Sequence, residues 1–245
     1  MRAAVEVSGL SKQFRRYHPH RPTTVQEAVA QGWSRLRTVE RFWGLRDVSF
    51  RVAPGRMLGI VGANGSGKST LLRLIGGVGR ADSGRVDVYG RLGALLDLSV
   101  GFHSELTGRE NAVMAGILAG LTRRQVLQRL DAIVDFAELE PFIDNPIRTY
   151  STGMQMRLAF ATAVHSEPDV LLLDEVLSVG DLAFQRKCLD RMTEFRAAGC
   201  TMLLVSHDVG AVRELCDEAI WLDGGRLCAS GTAADVVDRY IAHMA

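Results

Sequence analysis

Nothing in this 245-residue sequence approaches the ~20 consecutive apolar residues that a membrane-spanning helix needs, because the longest apolar run, residues 112–121, is about half of that. The chain is therefore not expected to cross a membrane by itself. An excess of charge of one sign is also lacking: 29 Lys or Arg stand against 28 Asp or Glu, a formal net charge of +1. That balance excludes a global field drawing nucleic acid or an acidic partner, so any basic site must be local. Cys188, Cys200, Cys216 and Cys228 lie far apart and form no CxxC pair, which argues against a zinc site or a redox dithiol. Four reduced, mostly buried thiols of a cytosolic protein are expected instead. Where a signal peptide would need an apolar stretch, the N-terminus carries Glu6, Lys12 and Arg15, so no cleaved export signal is expected. Internal repeats and low-complexity segments are missing too. Lysine itself is scarce, with three among the 29 basic residues.

What is present is enough apolar residue, 47% of the chain, for a buried core. Residues 5–10 and 45–52 alternate in strand fashion. Residues 57–61 form a short apolar run that ends in glycines before a helical segment, residues 68–76. Further apolar runs at 170–173, 202–205 and 219–222 read as buried parallel strands, with helical patterns between them at 182–198 and 209–216. An α/β core with a parallel central sheet follows. Residues 106–166 read as helices separated by turn signals and are expected to form an inserted helical subdomain, at about residues 100–166. Within it, Thr122 with Gln125 makes a capping box for a helix reaching Ala137, and Pro141, Asp144, Asn145 and Pro146 break the pattern. A last helix covers about residues 233–243.

About thirty residues separate Leu10 from the next strand, and they hold the local basic patch: residues 12–41 carry seven Lys or Arg and two Glu, plus His18 and His20. Thr24 and Glu27 form a second capping-box pattern, and Val25, Ala28, Val29, Trp33 and Leu36 recur at helical spacing. A short amphipathic helix is expected there, unless the charge run is simply a solvated face.

Gly62, Gly67, Lys68 and Ser69 satisfy GxxxxGK[ST] between a strand and a helix, the context that a phosphate-binding loop requires. Backbone N–H groups of residues such as Asn64, Gly65, Ser66 and Thr70 are placed to wrap phosphates, and the helix N-terminus adds its dipole. Lys68 is expected to reach the β- and γ-phosphates and Ser69 to ligate Mg²⁺. Asp174 and Glu175 end an apolar strand, at the edge where α/β sheets bind ligands. Asp174 is assigned to the Mg²⁺ shell and Glu175 to the water that attacks the γ-phosphate. His207 closes the next strand, where its side chain could reach the same edge.

The order of phosphate loop, strand-end Asp-Glu and strand-end Ser-His resembles an ABC ATPase. In that family such a histidine contacts the γ-phosphate, so the resemblance implies a catalytic role for His207 beside Lys68 and Glu175. Tyr150-Ser151-Thr152-Gly153-Met154-Gln155 falls where the family has its signature motif, with STGMQ in place of the usual LSGGQ. This variant resembles the signature of ABC ATPases that export polysaccharides such as O-antigen, capsule and teichoic acid. Three further segments are similar to those exporters: Gly101-Phe102-His103 leading into Leu106-Thr107-Gly108-Arg109-Glu110-Asn111, the D-loop at Ser178-Val179-Gly180-Asp181, and the N-terminal insertion, which resembles their gate helix. The glutamine of the usual Q-loop is missing, with Asp97 or Leu98 near its place. The adenine-stacking aromatic is Tyr17 or Phe14, of which Tyr17 sits just before the insertion as in the similar exporters. The carbohydrate-binding domain that some of these exporters append is not expected here.

The resemblance implies one nucleotide-binding domain over residues 1–245, with a parallel central sheet, an antiparallel β subdomain and the helical subdomain. It also implies ATP and Mg²⁺ as ligands and a head-to-tail homodimer in which Ser151 and Gly153 meet the nucleotide of the opposite chain. Further expectations are a pair of membrane permease subunits that handle a lipid-linked polysaccharide, no nucleic-acid partner, and a peripheral place on the cytoplasmic face of the inner membrane. The coupling helices of the permease would be received near residues 97–107. Exporters of teichoic acid, lipid or drug, and soluble ABC ATPases of translation or repair, are the alternatives.

Overall fold

The centre of the protein is made of short apolar strands that are buried on both faces, as parallel strands covered by helices must be. They are β3 (Met57–Val61), β6 (Val170–Asp174) and β7 (Thr201–Val205). In the computed structural model, which describes residues 2–16, 40–95, 102–174 and 181–244, these join β5 (Leu92–Leu95), β8 (Glu218–Asp223) and β9 (Arg226–Thr232) in one six-stranded sheet. Its order is β5-β6-β7-β3-β8-β9, parallel except for the final β8–β9 pair. A second, antiparallel sheet has the order β2-β1-β4, with β1 at Val5–Arg16, β2 at Glu40–Val52 and β4 at Ser83–Val88.

Because successive strand residues point to opposite faces, the central strands feed two cores. Leu171, Leu173, Met202 and Leu204 pack with Phe160, Phe184 and Val236 on one side. Val170, Leu172, Leu203 and Val205 pack on the other with Val5, Leu45 and Leu72, which ties the antiparallel sheet to the central one. The second side also holds α1 (Lys68–Ile75), and the first holds α5 (Leu182–Ala197), α6 (Val209–Leu215) and α7 (Ala233–Met244).

Between β5 and β6 come α2 (Gly108–Leu118), α3 (Arg123–Ala137), a single 3₁₀ turn at Ile147–Thr149 and α4 (Thr152–Val164). These helices build a third core from Ala112, Leu130, Ile133, Leu139, Tyr150 and Leu158. The expected capping box is present at Thr122 and Gln125, and Thr107 with Glu110 forms another at the start of α2. Each satisfies two amides that the first turn would otherwise leave open.

The structure extends the first two expected strands, from Leu10 to Arg16 and from Leu45 back to Glu40, and adds β4, β5 and β9. The amphipathic helix expected from Thr24, Glu27 and the apolar positions 25–36 lies outside the described residues, as do Tyr17, Asp97, Leu98, Gly101, Glu175 and residues 178–180. Among the described residues no helix is long and apolar enough to cross a membrane.

Candidate active site

The phosphate-type loop joins the C-terminal end of β3 to α1, and backbone contacts demand the glycines at its two ends, Gly62 and Gly67. Gly67 is the N-cap of α1 at φ 106°, and a Cβ there would collide with the carbonyl oxygen of Gly44 on β2. At Gly62 a Cβ would collide with the carbonyl oxygen of Leu222 on β8. The loop is thus pressed between the two sheets. It is pinned by the Gly225 N–H donating to the Ser66 carbonyl at 3.1 Å and the Arg46 N–H donating to the Gly225 carbonyl at 2.7 Å.

Among the described residues no side chain caps α1, so its first amides face the loop opening with the positive end of the helix dipole behind them. Lys68, 6% exposed, folds back: its Nζ donates to the Gly62 carbonyl at 2.7 Å and to the Ala63 carbonyl at 3.0 Å. A buried ammonium needs such acceptors. Close by, the Ser66 Oγ is buried and has no hydrogen-bond partner among the described residues. The lysine ammonium, the N-terminal amides of α1 and the buried Ser66 hydroxyl suit an arriving anion with many acceptor oxygens.

Strand register brings the other groups to the same edge. Asp174 is level with Val205, and Val205 is level with Ile60, so β6, β7 and β3 finish together. His207, two residues past Val205, lines a cavity of about 340 Å³ with Asn64, Gly65, Gly67, Lys68, Ser69 and Thr70. The far wall of the cavity is Phe14, Phe42 and Gly44. Phe14 and Phe42 are register partners on β1 and β2, with ring centroids 5.7 Å apart and planes 28° apart. Gly44 leaves room for the Phe14 ring, which a Cβ would approach to 2.5 Å. Both rings are partly exposed, at 38% and 51%, although large apolar groups usually bury more.

Phe42 was absent from the sequence expectations, and its signal was readable: once residues 10–16 are continued as a strand, the aromatic at 42 faces the one at 14. Tyr17, the other expected aromatic, lies outside the described residues, as does Glu175. Ser151 and Gly153 do not line this cavity. Ser151 is the N-cap of α4 and accepts the Met154 N–H at 3.2 Å, on an exposed face, with Gly153 half-buried in the first turn. Tyr150, just before it, is anchored: its hydroxyl donates to the Phe142 carbonyl at 2.7 Å, and burial pushes its phenol pKa up.

A glycine loop between a parallel strand and a helix, with a carboxylate and a histidine on the neighbouring strand ends, defines a P-loop nucleotide-binding protein of the α/β class. The chain belongs to the ABC transporter family, whose pattern matches residues 45–178. It is 39% identical to the O-antigen export system ATP-binding protein RfbB of Klebsiella pneumoniae over 247 residues, covering all of both chains. A protein of the same name from Myxococcus xanthus is 43% identical over 241 residues, 97% of this chain, although the chain spans only 55% of that relative's length. Among solved structures, the fold is shared with the dimeric post-hydrolysis state of the ATP-binding cassette MJ0796 bound to ADP and Pi. That match has a TM-score of 0.74 and 21% identity, covering 94% of this chain and 98% of the other.

Proposed function

We propose that the chain binds and hydrolyses ATP to power export of a lipid-linked, O-antigen-like polysaccharide. In this reading it works as a homodimer on a pair of membrane permease subunits, peripheral on the cytoplasmic face of the inner membrane. The observation that carries the ATPase reading is the convergence of Lys68, Ser69, Asp174 and His207 at one sheet edge, beside a cavity lined by the loop and the start of α1. The cargo reading is supported by the full-length similarity to the Klebsiella export protein and by the exporter-like STGMQ, LTGREN and SVGD segments.

Within this proposal Lys68 exchanges its carbonyl partners for β- and γ-phosphate oxygens, and the amides of residues 64–70 hold the remaining phosphate charge. Ser69 and Asp174 are the residues that would hold Mg²⁺, which when bound supplies charge neutralisation on the phosphates. Glu175 orients the attacking water and accepts its proton, and His207 donates to the γ-phosphate. Ser151, exposed, and Gly153, half-buried in the first turn, lie outside this chain's own cavity and present the N-terminus of α4 to the nucleotide of a second copy. The adenine ring lies against the aromatic wall made by Phe14 and Phe42, with Tyr17 as the further candidate. The basic stretch at residues 12–41, with Trp33, suits a lipid headgroup boundary or pyrophosphate beside the permease.

The test is Glu175→Gln. It should retain ATP, accumulate as a dimer in size-exclusion chromatography and lose turnover on the order of 100-fold or more. Turnover at the parental rate would remove Glu175 from the proposed role.

A further inference from the structure

Arg157 lies on α4, six residues after the Ser151 cap, and its guanidinium forks between the ends of two other helices. Nη1 donates to the carboxylate of Glu138 at 2.8 Å, the residue that closes α3 in a left-handed conformation at φ 58°. Nη2 donates to the carboxylate of Asp181 at 2.8 Å. Asp181 is the N-cap of α5, and its other oxygen accepts the Phe184 N–H at 2.9 Å. The guanidinium carbon sits 4.9 Å from the centre of the Phe184 ring, so the fork is also packed from below. Lys187, one turn further along α5, repeats the tie with donations to the Phe136 carbonyl at 3.0 Å and to Glu138 at 3.4 Å.

This arrangement does little for stability. The two carboxylates are more than half exposed, at 52% and 63%, and ion pairs of that kind contribute little to folding. What the fork does is geometric, because a planar guanidinium with two fixed N–H directions sets the spacing and angle of both partners. One partner closes α3. The other begins α5, and the chain running back from it reaches Asp174 at the edge of the central sheet in seven residues. Beside the contact of the Phe160 and Phe184 rings, Arg157 is a direct polar side-chain link between the helix that presents Ser151 and the cap of α5.

We propose that Arg157 is a positioning residue for ATP hydrolysis, holding the start of α5 in fixed register with α4. The inference rests on the ATPase reading above. Under it, Ser151 serves the opposite copy's nucleotide while Asp174, seven residues before Asp181, serves this copy's own. A rigid tie between α4 and α5 makes the two composite sites close as one, and loosening it disturbs turnover without touching the phosphate loop.

The experiment compares full-length parent, Arg157→Ala, Arg157→Lys, Asp181→Asn and the Arg157→Ala/Asp181→Asn double variant. Asparagine caps a helix as well as aspartate does, so Asp181→Asn keeps the α5 cap and removes only the charge that Arg157 grips. ATP hydrolysis and the affinity for a fluorescent ATP analogue are measured on each, with melting temperature as the folding control. The expected result is a fall in kcat of at least about tenfold for Arg157→Ala and for Asp181→Asn, with KM and analogue affinity within about twofold of the parent. The double variant should be no slower than the worse single one. Arg157→Lys should recover part of the rate, since one ammonium cannot present the same planar fork. A kcat within about twofold of the parent in Asp181→Asn, or losses that multiply in the double variant, would overturn the proposal. A parent chain that binds no ATP analogue and hydrolyses no ATP overturns the ATPase reading and this inference with it.

Discussion

The Nζ of Lys68 lies 2.7 Å from the carbonyl oxygen of Gly62, a residue six positions earlier at the other end of the same loop. The loop therefore closes on its own lysine. An ammonium that is 6% exposed and bonded to backbone carbonyls gains when phosphate oxygens replace them, because an anionic acceptor adds a full Coulomb attraction that a carbonyl dipole lacks. Lys68→Ala should weaken ATP binding by roughly 10- to 100-fold, from about 1.5–3 kcal/mol for a bond to a charged group, and should nearly abolish turnover. Isothermal titration with ATP and a phosphate-release assay read both effects. Unchanged affinity in this variant would mean that the cavity at Gly65 and Lys68 is not where the phosphates sit.

The aromatic wall calls for a comparison of three single variants. Phe14 and Phe42 are stacked at 5.7 Å across paired strands, partly exposed, and opposite the phosphate loop. A base stacked on an aromatic side chain is worth about 1–3 kcal/mol, so losing the stacking ring should raise KM for ATP by roughly fivefold to a hundredfold. Whichever of Phe14→Ala, Phe42→Ala and Tyr17→Ala raises KM for ATP while leaving affinity for inorganic triphosphate unchanged identifies the platform. If none does, the base is held elsewhere.

How far the sequence could be read depended on whether a segment's burial leaves a pattern. The central strands at Met57–Val61, Val170–Asp174 and Thr201–Val205 are apolar on both faces, and each was visible as a run. The box at Thr122 and Gln125 was visible because two polar side chains three residues apart have a specific capping role. By contrast, β4 is exposed over Ser83, Gly84 and Arg85, and β5 is a four-residue edge strand, too short for alternation to show. The ends of β1 and β2 were missed for another reason. The register slips between Val7 and Leu10, Leu10 and Lys12, and Lys12 and Gln13, and such irregularities break the two-residue period that a strand reading relies on. Phe42 was lost with them. Gly62, Lys68 and Ser69 were legible because the phosphate-loop motif fixes both identity and spacing, whereas His207 was legible only through the family resemblance; β3, α1 and β7 place them at one edge.

The cysteines divide into three buried thiols and one exposed, which predicts a simple labelling pattern. Burial pushes Cys188 and Cys216 up to about 12 and Cys200 to about 11, leaving almost no thiolate at pH values near 8, while Cys228 is on the surface of β9. Iodoacetamide added to the native protein should modify one thiol per chain, at Cys228, by peptide mass spectrometry. The other three should react only after unfolding in guanidinium. Rapid native labelling of Cys188 would show that the core around Phe184 opens far more readily than its packing allows.

Acid sensitivity should reach the start of α2 through Glu110. Its carboxylate accepts the Thr107 N–H at 2.9 Å and the Thr107 hydroxyl at 2.9 Å, and these bonds, the backbone one first, hold its pKa below the usual carboxylate value. A depressed folded-state pKa contributes stability that is complete above the unfolded-state pKa, about 4.3 for glutamate, and is lost as pH falls through the folded value. Asp181, held low chiefly by the Phe184 N–H, adds an acid-labile cap at α5 with the same sign. Glutamine at position 110 can make the same reciprocal capping bonds but does not titrate. Melting curves of the parent should therefore fall more steeply between about pH 5 and about pH 3 than those of Glu110→Gln, while both retain some slope from Asp181. Parallel curves for the two proteins would show that the Thr107–Glu110 box opens independently of global unfolding, so that protonating Glu110 costs the fold nothing.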